Sequence, residues 1–588
     1  MRAWLRSVHR PLPAVALAVV LWPATAPAGI PACPGDCNGD GGVLINELLI
    51  GVNVALGSQP ISACPAMDAN GSGSVLIDDL IRAVAAALEG CPPQSTPTAQ
   101  LTATTTSTAS IPDATSTETA PIADTPTPSP KDTASATVPP SATSAPESPT
   151  ITPTETPVPP PRFCDLPGSY QMTGPGMSVV PGGSVNGPNL SFVHLPIGFC
   201  AHFFTSIGNP RQLRFAPTGE LFVASPTKFT TSNGINGQAA IMVLADDDGD
   251  GFADYHGKFL QDGQQQDIEL REVVGLLFAN DHLYFQNATH IMRVPYTAGD
   301  RTTSQPSEEV ANITIATDTL HWTKSMDIAD DGTIYVGNGS TESEGTETTP
   351  RYAACADVQN RAFRGGVVKL DGSPGGTPVV KGFRNPIAIR CARGHNRCFA
   401  IELAKDYSYG QGGREKILQI HEGDDWGFPC CATRDTPYAY INPPPDCSHV
   451  AQETASFYIS DTPFDLDFEK GKWPEPWKDR AFVPLHGAAG SWRGARLVAI
   501  EPDDMTGQLL PGTDLLPGSP LPGPSSGAMS DFATGWDAGT GSPGAHGRPT
   551  VVAFAADGRL FLGNDTPAIG DTQGSIIWIA PLDLEIPR

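Results

Sequence analysis

The chain has 588 residues, of which 36 are lysine or arginine and 63 are aspartate or glutamate, so its formal net charge is −27. This acidity argues against nucleic acid or an anionic membrane as a partner, because both require a basic surface. Length alone predicts about four domains, and the hydrophobic share of 39% is enough for a large core.

The aromatic residues are distributed unevenly along the chain. Of the 43 Phe, Tyr and Trp residues, only Trp4 and Trp22 precede Phe163. Because aromatic side chains dominate the energetics of packed cores, we expect the large core beyond position 162.

The N-terminus has the pattern of an export signal over residues 1–28. Three arginines occur in the first ten residues, followed by an apolar run from Pro13 to Trp22 and small residues at 24–28. An uncleaved anchor is the alternative, but the run is shorter than the ~20 residues that a span needs. The even number of cysteines, twelve, agrees with export to an oxidising compartment and leaves their pairing open. We therefore expect a secreted, periplasmic or cell-surface protein without a membrane span after cleavage.

Residues 29–92 contain two copies of one pattern, in which Val43 to Leu48 returns as Val75 to Leu80. Each copy has oxygen-bearing side chains at loop positions 1, 3 and 5, a glycine at position 6 and an acidic residue at position 12. This is the ligand pattern of an EF-hand calcium loop, followed here by an apolar-rich helix. The predicted ligands are Asp36, Asn38, Asp40, Gly42 and Glu47 in the first loop and Asp68, Asn70, Ser72 and Asp79 in the second.

This tandem resembles a type I dockerin, and the resemblance implies a calcium-dependent fold that binds a cohesin-like partner. Two features depart from the pattern: Leu44 and Leu76 occupy position 9, and Ser72 replaces an acidic residue, so we expect the second site to be weaker. The alternative is that calcium only stabilises a small module that has no partner.

Residues 93–162 contain no glycine, cysteine or aromatic residue and are dominated by Thr, Ser, Pro and Ala. Such a segment cannot bury enough apolar surface to offset its chain entropy. We predict an extended linker in which proline favours the polyproline II conformation.

From position 163 to 588 the chain repeats one theme: a polar or proline-containing start, an alternating strand, a glycine-centred turn and a second strand. Six such copies predict an all-β fold, a six-bladed β-propeller. A tandem of β-sandwiches is the alternative. The copies begin near Asn209, Val274, Ser325, Asn385, Phe464 and Arg548.

Three motifs in this region resemble the soluble sugar dehydrogenases that depend on pyrroloquinoline quinone (PQQ), in the glucose/sorbosone dehydrogenase group. They are Leu320-His321-Trp322, Gly382-Phe383-Arg384-Asn385-Pro386, and the Glu422–Pro429 turn. The resemblance covers essentially all of 163–588. It implies an oxidoreductase that acts on an aldose or a related sugar.

The resemblance also implies roles for individual residues. His321 is then the base that removes the hydroxyl proton, and the expected PQQ-binding residues are Arg384, Asn385, Arg493, Arg548 and Trp426. Guanidinium groups suit the carboxylates and quinone oxygens of PQQ. For each of these residues, a structural contact at the rim of a blade is the alternative.

The segment where the family holds a calcium ion beneath PQQ departs from the pattern. It reads Glu402-Leu403-Ala404-Lys405-Asp406 here, and a nearby acidic pair becomes Glu415-Lys416. Because a lysine opposes cation binding, the fold is predicted more firmly than the cofactor.

An independent metal signal lies at Asp246–Asp254, where carboxylates occupy positions 1, 3, 5 and 9 and a glycine occupies position 6. The predicted Ca²⁺ ligands are Asp246, Asp248, Asp250 and Asp254. The alternative is a solvated acidic turn. We expect this loop to stabilise a hairpin and to take no part in catalysis.

Two functions are therefore expected from the sequence. The first is an exported PQQ-dependent sugar dehydrogenase with a dockerin-like calcium module. The second is a non-catalytic propeller that binds glycan or protein and is displayed through that module.

Overall fold

The computed structural model divides the chain into two compact units, residues 1–147 and 148–588. In the first unit the structure describes residues 33–38, 42–55, 59–68 and 73–89. In the second it describes 160–587 except 175, 183–187, 228–236, 266–267, 314–320, 341–354, 356–362, 364, 405–413, 439–440, 459–460, 488–494, 504–508, 511, 514–527, 537–545 and 566–573. The predicted signal peptide and nearly all of the predicted linker lie outside these residues.

The first unit is a pair of helices, α1 (Ile45–Ala55) and α2 (Ile77–Glu89), joined through two 3₁₀ turns, Ile61–Ala63 and Pro65–Met67. Each helix follows one of the two repeated loops, as the repeat predicts. A disulfide joins Cys37 to Cys64 and so links the two repeats. No helix in the described parts of the chain has the length and hydropathy needed to cross a membrane.

The second unit is built from antiparallel β-sheets after a 3₁₀ turn at Phe163–Asp165. The strands of its first half are β1 (Tyr170–Met172), β2 (Met177–Val179), β3 (Phe199–Ile207), β4 (Gln212–Phe215), β5 (Leu221–Ser225), β6 (Ala240–Ala245), β7 (Tyr255–Gln261), β8 (Leu276–Ala279), β9 (His282–Asn287), β10 (His290–Pro295), β11 (Glu308–Asn312), β12 (Met326–Ile328), β13 (Ile334–Asn338), β14 (Gly366–Lys369) and β15 (Thr377–Lys381). Those of its second half are β16 (Asn385–Ala392), β17 (Arg397–Leu403), β18 (Glu415–Gln419), β19 (Cys431–Thr433), β20 (Thr436–Pro437), β21 (Ala455–Phe457), β22 (Asp467–Phe468), β23 (Ala481–Leu485), β24 (Arg496–Ile500), β25 (Gly512–Thr513), β26 (Met529–Ala533), β27 (Arg548–Phe554), β28 (Leu560–Asp565) and β29 (Gly574–Pro581).

These strands form six blades, which confirms the predicted all-β six-bladed propeller. Five blades follow the chain: β4–β7, β8–β11, β12–β15, β16–β17–β18–β21 and β22–β23–β24–β26. The sixth blade joins β27–β28–β29 to β3, so a strand from the start of the domain pairs with strands from its end and closes the ring. The first strand of each blade is the inner one, and these inner strands contact one another around the axis.

Apolar side chains fill the space between neighbouring blades. Blades one and two share a cluster that contains Phe222 and Phe285, and blades five and six share one that contains Trp473 and Trp536. Equivalent clusters lie between the other neighbouring pairs. Each blade is therefore buried on both faces, and strands such as β5 and β23 are buried at every residue.

Polar side chains near the inner strands bridge each blade to the next. Gln212 accepts a hydrogen bond from the backbone N–H of Leu276 in the following blade. The carboxylate of Asp327 accepts from the N–H of Cys391 at 2.9 Å. The carboxylates of Asp465 and Asp467 accept from β27 in the same way. These contacts satisfy backbone donors on strand edges that have no neighbouring strand.

A buried ion-pair cluster lies among these inner strands. Arg390 of blade four donates to Asp465 of blade five at 2.7 Å, and both side chains are almost fully buried. Arg214 of blade one lies 3.9 Å from Asp327 of blade three. Burial raises the pKa of Asp465 to about 6, although Arg390 opposes this shift. Burial and the neighbouring Arg390 lower the pKa of Arg214 to about 10.

We predict that Asp465→Asn destabilises the propeller by about 1–3 kcal/mol, because an amide nitrogen replaces one of the two buried oxygens that accept from Arg390, Leu466 and Val552. The double variant Arg390→Met/Asp465→Asn, in which neither charge is left unpaired, should recover most of this loss. Guanidinium denaturation followed by tryptophan fluorescence measures the effect, since every tryptophan beyond Trp22 lies in 163–588. Equal stability of the single variant and the wild type would contradict the prediction.

The pH dependence of stability gives a second readout of the same pair. The folded-state pKa of Asp465, about 6, lies above the ordinary value of 3.8, so the folded chain binds this proton more tightly than the unfolded chain. The contribution of this carboxyl to stability is therefore complete below about pH 4 and is lost as the pH rises through about 6. The free energy of unfolding of the wild type, relative to that of Asp465→Asn, should therefore decrease as the pH rises from about 4 to above 6.

Candidate functional site

The inner strands bring several of the predicted site residues to one end of the propeller. His321 lies shortly before β12, Arg384 lies directly before β16, and Arg548 is the first residue of β27. Because all inner strands run in the same direction along the axis, residues at their starts lie at the same end. We call this end the rim.

The imidazole of His321 is held against the connection that follows β13. Its Nδ1 lies 3.3 Å from the carbonyl oxygen of Ser340 and 3.4 Å from the hydroxyl of the same residue. The residue is 1% exposed. A proton on Nδ1 can be donated to the carbonyl, and this tautomer leaves the lone pair on Nε2.

Ser340 also contacts the other motif of the rim. Its backbone N–H donates to the carbonyl oxygen of Arg384 at 2.7 Å. Nearby, the hydroxyl of Thr323 donates to the side-chain oxygen of Asn385 at 3.2 Å. The structure therefore brings His321, Arg384 and Asn385 together at the rim.

Gly339 allows the backbone around His321 to pack this closely. A β-carbon at position 339 would lie 2.3 Å from the carbonyl oxygen of His321 and 2.5 Å from its β-carbon. Any larger residue would displace the histidine.

Arg548 belongs to a second polar group across the ring, in blades five, six and one. Its guanidinium donates to the carbonyl oxygen of Gly487 at 3.3 Å. Beside it, the carboxylate of Asp565 accepts from Arg211 at 2.7 Å and lies 3.0 Å from Nε2 of His486. This pairing joins the last blade to the first.

The charges in this group shift one another's pKa values. Burial alone would raise the pKa of Asp565, but Arg211 and His486 hold it well below its ordinary value. Burial lowers the pKa of His486, although Asp565 opposes the shift. Burial also lowers the pKa of Arg548. Asp565 is therefore ionised at neutral pH and orders the cations around it.

Two of the predicted PQQ-binding residues are not seen at the rim. Arg493 lies outside the described residues. Trp426 is 0% exposed and packs between blades three and four, where its ring centroid lies 3.5 Å from that of Phe383.

The predicted acidic loop between β6 and β7 brings three carboxylates together. Oxygen atoms of Asp246, Asp248 and Asp254 all lie within 4.8 Å of one another. The side chain of Asp250 instead accepts from the N–H of Phe252. Burial raises the pKa of Asp246.

The two N-terminal loops are only partly described, since Asp40, Asn70 and Ser72 lie outside the described residues. In the first loop, the carboxylate of Glu47 accepts from the N–H groups of Cys37, Asn38 and Leu44. In the second loop, Asp68 accepts from the N–H of Gly73 at 2.8 Å. Asp79 accepts from Leu76 through one oxygen, and its other oxygen is buried without a hydrogen-bond partner among the described residues.

A domain family of unknown function, DUF7133, matches residues 190–401. No curated protein shows significant similarity. Among solved structures, the chain is similar to a calcium structure of the Trichoderma reesei family AA12 carbohydrate-active enzyme, with 16% identity and a TM-score of 0.47 over 66% of this chain and 97% of that one.

Two further structures are similar to a comparable extent. The holo PQQ domain of pyranose dehydrogenase from Coprinopsis cinerea has 17% identity and a TM-score of 0.46 over 66% of this chain and 96% of that one. The soluble aldose sugar dehydrogenase from Escherichia coli, in its apo form, has 10% identity and a TM-score of 0.42 over 65% of this chain and 99% of that one.

Sequence reasoning missed three charged residues of the rim: Arg211, Asp565 and Lys324. Lys324 is fully buried, and its ammonium lies 3.4 Å from the side-chain oxygen of Asn338. The sequence did contain one signal that could have identified Arg211, namely its position next to an Asn-Pro pair. Arg211 follows an Asn-Pro pair at the start of the first blade, just as Arg384 precedes such a pair at the start of the fourth.

We predict that Gly339→Ala destabilises the propeller by about 1–3 kcal/mol, because the added methyl group overlaps the backbone of His321. Gly375→Ala is the matched control, since a β-carbon there meets only one atom within 4 Å, at 3.8 Å. Thermal unfolding followed by tryptophan fluorescence compares the two variants. Equal unfolding midpoints would contradict the close approach of Gly339 and His321.

Proposed function

We propose that the propeller is an oxidoreductase of the PQQ-dependent sugar dehydrogenase type, which oxidises a CH–OH group of an aldose or a related sugar. The observation that carries the proposal is the junction at Ser340, which contacts the His321 imidazole through its carbonyl and hydroxyl and Arg384 through its N–H. The His321 imidazole and the backbone of Arg384 are thereby held on the same residue at the rim.

His321 has the properties that a general base for this reaction requires. An imidazole whose Nδ1–H is donated to a carbonyl presents a basic Nε2, and its ordinary pKa lies near physiological pH. In the proposed reaction Nε2 takes the hydroxyl proton of the sugar. The contacts to Ser340 fix the orientation of the ring, and the carbonyl favours the tautomer that carries its proton on Nδ1.

The donor groups at the rim fit an anionic quinone. Arg384 and Arg548 offer guanidinium groups, which suit carboxylates, and Asn385 offers an amide. When bound, PQQ supplies an acceptor for the hydride that leaves the sugar carbon. Arg493 stays a predicted ligand.

A second function is favoured by one observation. His321 is only 1% exposed, whereas a catalytic base must contact its substrate. The alternative is a non-catalytic propeller that binds glycan or protein.

PQQ binding and turnover distinguish the two functions. We predict that the mature chain binds PQQ at micromolar concentration and reduces a dye when an aldose is added. His321→Ala should lower kcat by about 10²–10⁴-fold with little change in PQQ affinity. His395→Ala is the matched control, because His395 is exposed in the β16–β17 turn at the opposite end of the inner strand.

Each outcome decides one point. Absence of PQQ binding would exclude the enzyme and leave the binding propeller. Full turnover in His321→Ala would show that another group is the base.

We also propose that the protein is exported and carries a dockerin-like calcium module for a cohesin-like partner. Disulfides at the described cysteines support an oxidising compartment. In the propeller they join Cys164 to Cys200, Cys355 to Cys430, Cys391 to Cys398 and Cys431 to Cys447.

Calcium is proposed at three loops, and the donor chemistry fits it. The second oxygen of Asp79 is a buried acceptor, and Asp246, Asp248 and Asp254 converge in the propeller. We predict that calorimetric titration of the full chain with Ca²⁺ finds one bound ion fewer than in the wild type for each of three variants, Asp36→Asn, Asp79→Asn and Asp248→Asn.

The control for the calcium titration is Asp330→Asn, which removes an exposed carboxylate from a turn. It should leave the stoichiometry unchanged. If a loop variant binds as many calcium ions as the wild type, that loop is not a calcium site.

A further inference from the structure

A fully buried ammonium group lies behind the rim. Lys416 of β18 has a side chain that is 3% exposed. Its Nζ lies 2.9 Å from Oε2 of Glu402, 2.9 Å from the carbonyl oxygen of Ala432 and 3.2 Å from that of Trp426. The three protons of the ammonium thus have three oxygen partners, one of them a carboxylate.

The same carboxylate continues to the rim. Oε1 of Glu402 accepts from the backbone N–H of Arg384 at 2.9 Å. The guanidinium of Arg384 in turn donates to the carbonyl oxygen of Ala404 at 3.0 Å. One short segment at the end of β17 therefore supplies oxygen atoms to two protein cations, Lys416 and Arg384.

This arrangement does not fit a calcium ion at that segment. A carboxylate and several carbonyl oxygens are the ligands that a hard cation needs. Here the ammonium of Lys416 already pairs with the carboxylate of Glu402, and the guanidinium of Arg384 already donates to the carbonyl oxygen of Ala404. A metal ion would have to displace a buried ammonium and would then face two positive charges.

We propose that Lys416 takes the place of a metal ion in this oxygen cage, so that the rim binds its anionic ligand without a metal. The proposal rests on the proposed function in one respect, the identity of the ligand as PQQ. Lys416 is a positioning residue: it holds Glu402, and Glu402 fixes the backbone of Arg384. The carboxylate of Glu402 is paired with Lys416, whereas the guanidinium of Arg384 donates to the neutral carbonyl of Ala404 and keeps its charge, which favours a ligand that carries carboxylates.

The test compares PQQ affinity in excess EDTA and in millimolar Ca²⁺, using the mature full chain and isothermal titration. For the wild type we expect dissociation constants within about threefold of each other in the two conditions. For Lys416→Ala we expect affinity at least about tenfold weaker in EDTA, and partial recovery in Ca²⁺, because the emptied cage then offers a carboxylate and two carbonyls.

Lys369→Ala is the matched control for this comparison. It removes a lysine from a surface pair with Glu422 and should respond to EDTA and Ca²⁺ as the wild type does. If the wild type loses PQQ in EDTA and regains it in Ca²⁺, the inference is overturned while the proposed function stands.

If PQQ binds in neither condition, the proposed function fails, and thermal unfolding decides the inference separately. Lys416→Ala should then unfold several degrees below the wild type in EDTA and should gain more from Ca²⁺ than the wild type does. A calcium response equal to that of the wild type would overturn the assignment of the cage.

Discussion

The inner strands of the propeller impose the constraint on which the rest of the structure depends. Each inner strand pairs with only one neighbour, so its other edge presents backbone N–H groups toward the axis without a strand partner. Buried donors of this kind must be hydrogen-bonded. In this chain the side chains of the adjacent blade supply the acceptors, for example Ser325 to the N–H of Ile389 and Asp327 to that of Cys391.

This solution fixes which residues can lie on the inner strands. Acceptors that face the axis must recur at every second position, and Ser325 with Asp327, and Asp465 with Asp467, show this spacing. Carboxylates in such a place need counter-charges, which explains why a guanidinium such as Arg390 is buried at the centre of the ring. With the blades held in register, the segments at the starts of the inner strands are brought to one rim.

The fold could be predicted from the sequence because its repeat is local. Each of the six strand-turn-strand copies, with its glycine turn, can be recognised by itself, and the structure confirms six blades. Burial differed from the expectation of alternating strands: β5 is buried along its whole length because each blade is covered on both faces. Ring closure through β3 depends on a partner far away in the chain, which a local pattern does not identify.

The site was predictable only where a motif is continuous. The motifs at His321 and at Arg384-Asn385 led to residues that the structure joins through Ser340. The group of Arg211 and Asp565 was missed because its members come from the first and last blades, 354 positions apart. Their proximity follows from ring closure, which no local pattern in the sequence contains.

Several of the rim cations donate hydrogen bonds to neutral oxygens. A cation paired with a carboxylate loses most of its field, whereas a cation that donates to a carbonyl is satisfied and stays charged. Arg384 donates to the carbonyl of Ala404, Arg548 to that of Gly487, and Lys324 to an amide oxygen. In these three contacts a neutral oxygen satisfies a donor without cancelling its charge, in a chain whose net charge is −27. The charge of the site thus depends on which oxygen atoms bind its cations, and it cannot be predicted from the composition alone.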